Sequence, residues 1–412
     1  MLYCAKTRIS LDFFDSILVF DMIDITDKSN CCGCGACAQK CPKNCIQMKF
    51  DEEGFCYPEV NRNLCVHCNL CDRVCPVLNK RKNDKGLITS RVFAAYNKDN
   101  DELLRSSSGG IFSLLAKQVL ANNGVVFGAA YCENFVVKHI VIKSREDIAK
   151  LRGSKYVQSD MQESYRLAEK FLKENVEVLF SGTPCQIEGL LSYLGDDYKH
   201  LITIDLICSG VPSPKLWKEY IDYREDKLHS KISQINLRYK KYGWQEYVVL
   251  FNYENGKQYT KTRFEDPFMR AFRDGYSLRP SCYNCQFKTV ERNSDITLAD
   301  FWGIENVMPD INNHSGTSMV FVNTEQGERL FSSISNDIIS AEVDKQITVS
   351  CNPMMNNSFK KPPMREDFYQ FVSNNSFIKA TEKYCKIPIK QKLKFKTDAL
   401  YLRLKERLNN DT

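Results

Sequence analysis

Residues 31–42 read CCGCGACAQKCP, and residues 65–76 read CVHCNLCDRVCP. Both stretches space their cysteines as C-x2-C-x2-C-x3-C-P, which is typical of chains that bind two 4Fe–4S clusters. In this pattern three cysteines of one stretch surround one cluster, and the fourth ligates the other. The spacing therefore predicts two clusters with these ligands: Cys31, Cys34, Cys37 and Cys75 for the first, and Cys41, Cys65, Cys68 and Cys71 for the second.

A pair of zinc sites is the alternative, because Zn²⁺ also accepts two C-x2-C pairs, although it does not require the x3-C-P ending. Gly33 and Gly35 are predicted to let the backbone fold closely around the first cluster. Cys32 and Cys45 fall outside the spacing and are predicted to be small apolar side chains or thiols beside the ligands. His67 is either an ordinary exposed histidine or a group that tunes the second cluster.

The composition is that of a globular protein with two or three domains. The 412 residues include 19 cysteines, with 43% hydrophobic and 26% charged residues. No apolar run is long enough to cross a bilayer, and the N-terminus lacks the features of a signal peptide. We therefore expect a cytoplasmic protein whose cysteines stay reduced and bind metal rather than form disulfides. Met22 is a candidate for the true start, because the first 21 residues differ in character from those that follow.

The sequence predicts an α+β chain in which a small, bacterial-type ferredoxin domain with two 4Fe–4S clusters precedes a larger domain with a mixed sheet. A polar, charged stretch follows the second cysteine motif and is predicted to be a linker. The predicted organisation is an N-terminal extension at 1–28, the dicluster domain at 29–78, a linker at 79–90, the larger domain at 91–345 and a basic, partly helical segment at 346–412.

Serines and glycines at 106–110 precede a helical pattern in the larger domain. They predict either a site for an anion at the helix N-terminus or a simple helix cap. Further along, Asp160 and Glu163 predict a capping box for a helix that ends at Lys173.

Two strands, predicted at 176–180 and 201–207, are joined by a helix and are therefore expected to be parallel. Each delivers a cysteine, Cys185 or Cys208, to the same edge of the sheet, where ligands commonly bind. With Cys282-x2-Cys285 they make four thiols that could hold a third cluster. The alternative is a pair of buried thiols beside a separate redox-active or structural C-x2-C.

The motifs occur in an order that resembles the coenzyme F420 hydrogenase/dehydrogenase beta-subunit family. The resemblance covers roughly residues 30–340 and rests on the two cysteine motifs and on further segments: 106–110 (SSSGG), 153–156 (GSKY), 182–186 (GTPCQ), Cys282-x2-Cys285 and 299–303 (ADFWG).

This resemblance implies an iron–sulfur flavoprotein that binds FAD with a cluster nearby. It implies flavin contacts from seven residues: Ser107, Ser108, Gly109, Gly110, Ser154, Lys155 and Tyr156. It also implies that Cys185, Cys208, Cys282 and Cys285 ligate a third 4Fe–4S cluster.

The predicted activity is oxidoreduction, with electrons passing between the clusters and an organic substrate through FAD. Coenzyme F420 or another small molecule is the predicted substrate, and a ferredoxin or another subunit is the predicted redox partner. No G-x-G-x-x-G occurs, so a Rossmann-type nicotinamide site is not indicated. The alternatives are a non-catalytic electron-transfer subunit and a flavin domain that serves as a scaffold.

Several charged residues are open to two interpretations. Lys155, Lys288 and Arg292 are candidate contacts for an acidic substrate, although solvated surface charges are the favoured interpretation. Asp300 either orients a polar group or caps a strand.

Residues 386–408 carry eight basic and two acidic residues, an excess equal to the net charge of +6. They predict a basic amphipathic helix that packs on the domain or docks an acidic partner or a membrane surface. No nucleic-acid-binding module accompanies it.

Overall fold

A computed structural model describes residues 23–81 and 91–389. The proposed start at Met22, most of the predicted linker and most of the predicted basic helix at 386–408 lie outside the described residues. Within the described ranges, no helix combines the length and the apolar character needed to cross a bilayer.

The two cysteine motifs flank a small antiparallel hairpin. Gly33 and Gly35 both adopt positive φ, at 71° and 75°, which a residue with a side chain rarely adopts. Gly35 directly precedes the first helix, so the chain turns sharply as it leaves the first cysteine loop. The elements of this part are α1 (Ala36–Lys40), β1 (Ile46–Phe50), β2 (Cys56–Val60) and α2 (Leu70–Arg73).

The rest of the chain is built on one large mixed sheet, as the sequence predicts. The strands are β3 (Arg91–Asn97), β4 (Val125–Tyr131), β5 (Val137–Ile142), β6 (Val178–Gly182), β7 (Leu201–Leu206), β8 (Ile232–Tyr239), β9 (Val248–Tyr253), β10 (Gln258–Thr262), β11 (Ile296–Asp300), β12 (Ser318–Val322) and β13 (Ile338–Val343). Eight of them form the sheet in the order β13-β3-β12-β11-β7-β6-β4-β5.

The middle of this sheet is parallel and its margins are antiparallel. Strand β6 pairs in parallel with both β4 and β7, and β7 pairs in parallel with β11. The remaining strands, β8 to β10, form a separate antiparallel sheet, in which the predicted hairpin of β9 and β10 is confirmed. Because β6 and β7 run in the same direction, the loops after them emerge at one edge.

Helices cover the sheets and complete the cores. They are α3 (Asn100–Arg105), α4 (Ile111–Ala121), α5 (Ile148–Leu151), α6 (Ser164–Lys173), α7 (Pro184–Leu194), α8 (Pro214–Leu228), α9 (Pro267–Arg273), α10 (Ile304–Val307), α11 (Glu325–Ser332), α12 (Lys345–Cys351), α13 (Arg365–Asn374) and α14 (Phe377–Tyr384).

Two of the cores show how distant parts of the chain come together. In one, the apolar face of α4, with Leu115 and Val119, packs on the large sheet. In the other, aromatic side chains of α8 and α9 pack against Phe368 and Phe377 of the last two helices. Residues 346–389 therefore contribute to a shared apolar core.

The predicted capping box at Asp160 and Glu163 is wrong. Helix α6 begins at Ser164, although it ends at Lys173 as expected. The Asp160 backbone is engaged elsewhere, since its N–H donates to the carbonyl of Val137 and its carbonyl accepts from His139. A residue hydrogen-bonded to strand β5 on both sides cannot also begin the helix.

The first cysteine loop packs directly against α7. A Cβ atom at Gly189 would lie 2.8 Å from the Cβ atom of Cys34 and 2.9 Å from the hydroxyl oxygen of Tyr165. The absence of a side chain at Gly189 is therefore what allows the loop to approach the helix.

Gly189→Ala tests this contact. Alanine usually stabilises a helix relative to glycine by about 1 kcal/mol, but here the overlap with Cys34 should outweigh that gain. We expect the free energy of unfolding to fall by about 1–3 kcal/mol, measured by urea denaturation under anaerobic conditions.

Ser192→Ala in the same helix is the matched control. Its hydroxyl is buried without a hydrogen-bond partner in the described part of the chain, so its removal should change stability little. A Gly189→Ala variant as stable as the parent would contradict the proposed packing.

Candidate functional site

Four cysteines of the two motifs surround one cavity. Cys41 caps the end of α1, Cys65 and Cys68 lie in the loop before α2, and Cys71 lies within α2. All four line a cavity of about 400 Å³, a volume that includes space open to solvent. This grouping is the one that the sequence predicts for the second cluster, and we call it the second site.

Two further residues lie at the second site. Cys45 also lines the cavity, and its sulfur lies 3.3 Å from that of Cys41. It is therefore a thiol in contact with the site rather than a remote apolar side chain. His67 is exposed, and its backbone N–H lies 3.4 Å from the sulfur of Cys65.

The other four motif cysteines influence one another electrostatically. Burial, followed by the neighbouring thiols of Cys31 and Cys75, raises the pKa of Cys37. The pKa of Cys34 is raised overall. A hydrogen bond with Cys32 lowers it, but burial and the thiols of Cys37 and Cys31 together raise it by more. Because these thiols shift one another's pKa values, we group Cys31, Cys34, Cys37 and Cys75, the set predicted for the first cluster, and call this group the first site.

A third group forms at the edge of the large sheet. Cys185 lies at the beginning of α7, directly after β6, and Cys208 follows β7. Cys282 and Cys285 lie in and just after a short 3-10 helix, Pro280–Asn284. All four line a cavity of about 620 Å³, again counting space open to solvent, and we call this the third site.

The third site is partly buried and rich in thiols. Burial, followed by the Cys185 thiol, raises the pKa of Cys208 to about 11. Burial also raises the pKa of Cys282, with Cys208 as the next cause. Thiols in such surroundings become thiolates at neutral pH only if a cation compensates their charge.

Cys32 connects the first and third sites. It lines the third cavity although it belongs to the first cysteine loop. Its thiol hydrogen-bonds with those of Cys34 and Cys185. The two sites therefore lie side by side, with one extra thiol between them.

The cysteine groups of the described residues do not have the geometry of a single-ion site. Zinc holds its sulfur ligands at about 2.3 Å, which brings the sulfurs close to one another. Among residues 23–81 and 91–389, no three His, Cys, Asp or Glu side chains converge in a way that would hold a single metal ion. The cysteines of the second and third sites instead line cavities of about 400 and 620 Å³, volumes that include space open to solvent.

The structure brings together the two segments that the family resemblance assigns to flavin. The backbone N–H of Ser154 donates to the hydroxyl oxygen of Ser107 at 2.8 Å, and the two hydroxyls lie 3.0 Å apart. Ser108 lies alongside, and its hydroxyl donates to the carbonyl of Thr317. Ser107, Ser108 and Ser154 therefore share one surface.

The two glycines of the first segment have structural roles. A Cβ atom at Gly109 would lie 2.4 Å from the carbonyl oxygen of Ala95, so this position packs tightly on the large sheet. Gly110 has φ of 76° and caps α4. Both glycines therefore allow the beginning of α4 to pack closely on the sheet.

Lys155 is turned toward the protein rather than toward solvent. Its ammonium group donates to the carbonyls of Lys150, Leu151 and Arg152 at the end of α5. Burial, followed by the charge of Arg152, lowers the pKa of Lys155 to about 7. The favoured interpretation of Lys155 as a solvated surface charge is therefore wrong.

Lys288 and Arg292 are also not solvated surface charges. Both line the third cavity. The ammonium group of Lys288 donates to the carbonyls of Cys208 and Met354. Arg292 is buried and forms an ion pair with Asp205 at 3.3 Å.

Tyr156 belongs to a buried polar group that sequence analysis largely missed. Its hydroxyl accepts from Arg238, and Arg238 forms an ion pair with Asp300 at 2.6 Å. The guanidinium of Arg238 lies over the rings of Tyr247 and Trp302, at 4.3 and 5.6 Å from their centroids. Asp300 therefore holds an arginine in place rather than capping a strand.

Sequence analysis missed two buried arginines, Arg238 and Arg279. The second of them donates to the carbonyl of Cys31 at the first site. Each is a single arginine outside the motifs, and no spacing distinguishes it from the chain's other basic residues. The proximity of residue 279 to Cys282 is the one local signal that could have drawn attention to it.

Asp300→Asn tests the buried ion pair. The side chains of Arg238 and Asp300 are 5% and 15% exposed, so the substitution would leave a buried guanidinium without its carboxylate. We expect a loss of about 3 kcal/mol in the free energy of unfolding, measured by urea denaturation.

Asp222→Asn breaks the exposed pair with Lys218 and serves as the control, with an expected loss below about 1 kcal/mol. An equal loss of unfolding free energy in the two variants would show that the buried pair contributes no more to stability than the exposed one.

Two family models match the part of the chain that carries the motifs of the larger domain. The family model for the N-terminal part of the coenzyme F420 hydrogenase/dehydrogenase beta subunit matches residues 92–165. The model for the C terminus of the same subunit matches residues 176–346. Together the two matches cover most of the described larger domain.

Two named relatives point in the same direction. A subunit of the F(420)H(2) dehydrogenase of Methanosarcina mazei is 25% identical over 327 residues, which are 75% of this chain and 83% of the relative. Coenzyme F420-dependent sulfite reductase from Methanocaldococcus jannaschii is 25% identical over 320 residues, 74% of this chain. The match spans 46% of the reductase's own length.

One solved structure is also similar. A chain of the F420-reducing NiFe hydrogenase complex from Methanosarcina barkeri gives a TM-score of 0.43 at 18% identity, covering 71% of this chain and 89% of that chain. The motifs and the two family matches show that this protein belongs to the coenzyme F420 hydrogenase/dehydrogenase beta-subunit family.

Proposed function

We propose that the protein is an iron–sulfur flavoprotein that moves electrons between cysteine-bound clusters and a small organic substrate through FAD. The convergence of Cys185, Cys208, Cys282 and Cys285 on one cavity carries this proposal. These cysteines come from three separate parts of the chain, and a group of four partly buried thiols around one cavity fits a cluster better than it fits an ordinary apolar core.

Three 4Fe–4S clusters would be held by the three sites. The first site would use Cys31, Cys34, Cys37 and Cys75, and the second would use Cys41, Cys65, Cys68 and Cys71. The third would use Cys185, Cys208, Cys282 and Cys285. Clusters transfer single electrons and a flavin accepts one or two, so together they would connect a one-electron carrier to the two-electron chemistry of an organic substrate.

Two groups of the protein partly offset the burial that disfavours thiolates at the third site. Cys185 lies in the first turn of α7, an eleven-residue helix, where the positive end of the helix dipole stabilises negative charge. The charge of Lys288 opposes the rise in the pKa of Cys208 that burial causes.

FAD would bind where the two serine segments meet. The proposed contacts are Ser107, Ser108, Gly109, Gly110, Ser154, Lys155 and Tyr156. The contact between Ser107 and Ser154 supports this proposal, because it joins segments more than forty residues apart into one surface. The names of two relatives refer to F420, which makes coenzyme F420 the first substrate to test.

A non-catalytic electron-transfer subunit is the second candidate. It is supported by the name of one relative, which is a subunit of F(420)H(2) dehydrogenase. Such a chain would need a further protein as its redox partner. Anaerobic mixing with reduced coenzyme F420, with NADH or with reduced ferredoxin separates the two candidates. Flavin reduction by one of them alone favours the enzyme, whereas reduction only after a second protein is added favours the electron-transfer subunit.

Metal analysis after anaerobic purification tests the cluster assignment. Four irons per cluster give about twelve irons per chain for the parent protein. We expect Cys285→Ser to lose about four irons, because it removes a ligand of the third site. Cys132→Ser, which lies outside all three sites, should keep the parent's iron content.

An iron content of about eight in the parent would remove the third cluster from the proposal. Zinc without iron would overturn the proposed function altogether.

Flavin binding provides an independent test. Ser107→Ala removes the acceptor of both hydrogen bonds from Ser154, which should disorder the surface that they share. We expect about tenfold weaker binding of FAD, measured by fluorescence titration of flavin-free protein.

Ser113→Ala in α4 is the control, since its buried hydroxyl has no hydrogen-bond partner in the described part of the chain. Unchanged FAD affinity in Ser107→Ala would place the flavin elsewhere.

A further inference from the structure

Arg279 is fully buried between the N-terminal cysteine motifs and the larger domain, with 0% of its surface exposed. Its guanidinium donates to the carbonyls of Cys31 and Cys56 at 2.7 and 2.9 Å, and to the side-chain oxygen of Gln158 at 3.1 Å. It also lies over the ring of Tyr57, 4.2 Å from the centroid. Each of these partners is neutral.

Arg279 is one of three buried arginines, with Arg224 and Arg270, that form no ion pair among the described residues, and its exposed fraction is the lowest of the three. Three other buried arginines each face a carboxylate: Arg238 faces Asp300, Arg292 faces Asp205, and Arg365 faces Glu53. Within residues 23–81 and 91–389, by contrast, the ion pairs do not include Arg279. Burying a cation without an anion is costly, so a negative group is expected nearby.

Cysteine thiols around Arg279 are the candidates for that negative group. The strongest electrostatic neighbours are the thiols of Cys31, Cys32 and Cys282 and the hydroxyl of Tyr57. Cys31 belongs to the first site and Cys282 to the third, while Cys32 lies between them. Ligated cysteines are thiolates, so these two sites would supply the missing negative charge.

Backbone contacts fix Arg279 between the two sites. The backbone N–H of Cys282 donates to the carbonyl of Arg279, which places the arginine in the turn that delivers a ligand of the third site. At the first site, a Cβ atom at Gly33 would lie 2.8 Å from a guanidinium nitrogen. The first cysteine loop therefore rests directly on this charge.

We propose that Arg279 is a positioning residue whose charge raises the reduction potentials of the clusters at the first and third sites, and thereby favours electron transfer between them. This inference rests on the proposed function. Reduction adds one electron to a cluster while a one-electron carrier or the reduced flavin is oxidised by one. A nearby fixed positive charge stabilises the more negative, reduced state.

The second site provides the internal reference. The main electrostatic neighbours of Arg279 include none of its ligands, Cys41, Cys65, Cys68 and Cys71. Its potential should therefore respond much less to the charge at position 279.

The test is a redox titration of the purified, cluster-loaded protein, followed by electron paramagnetic resonance. Arg279→Gln removes the charge and should lower the potentials of the first and third clusters, while the second stays close to that of the parent. Signals are assigned with Cys285→Ser and Cys68→Ser, which remove the third and second sites in turn. Iron content and the urea midpoint of each variant are measured in parallel.

Arg224→Gln is the matched control. Arg224 is also buried and lies over an aromatic ring, that of Tyr259 at 3.4 Å, but its partners are tyrosines of another core. It should leave all three potentials unchanged.

Unchanged potentials in Arg279→Gln at full iron content would overturn the inference, as would an equal shift of all three clusters. If this variant does not fold, Gln158→Glu decides, because it places a carboxylate against the guanidinium of Arg279 and compensates its charge while the arginine stays in place. A shift confined to the first and third clusters then supports the inference, and its absence overturns it. A parent protein without iron would instead overturn the proposed function itself.

Discussion

The close packing of the first cysteine loop against the beginning of α7 is the contact on which the arrangement of sites depends. Cys34 lies against Gly189, and Cys32 reaches Cys185 one helical turn earlier. A side chain at Gly189 would force these groups apart. If clusters occupy the first and third sites as proposed, this contact sets the distance that an electron crosses between them.

The parallel pairing of β6 and β7 provides the second half of this arrangement. Their register, with Val178 opposite Leu201, brings the ends of both strands to the same edge of the sheet. Cys185 and Cys208 arrive there from separate loops, and the turn at residues 280–284 adds the remaining two thiols. A helix N-terminus and Lys288 then place positive charge beside these thiols, and Lys288 opposes the rise in the pKa of Cys208 that burial causes.

Sequence analysis was most successful where the signal was local. It predicted the parallel pair of strands β6 and β7, with β7 within one residue of its observed bounds, and the end of α6 at Lys173. It failed at Asp160, because the bonds of that residue to β5 come from a distant part of the chain. It also misjudged Lys155 and Lys288, since the burial of a lysine depends on which carbonyls the fold brings to it.

The sequence by itself predicted the grouping of the two cysteine motifs, because spacings of two and three residues restrict which thiols can share a centre. It also determined the parallel pair of strands that carries two more cysteines. Only the tertiary structure decided that Cys282 and Cys285 join that pair, that Cys32 lies between two sites, and that Arg279 is buried without a carboxylate. These features depend on packing between segments far apart in the chain, and no local pattern of residues encodes such packing.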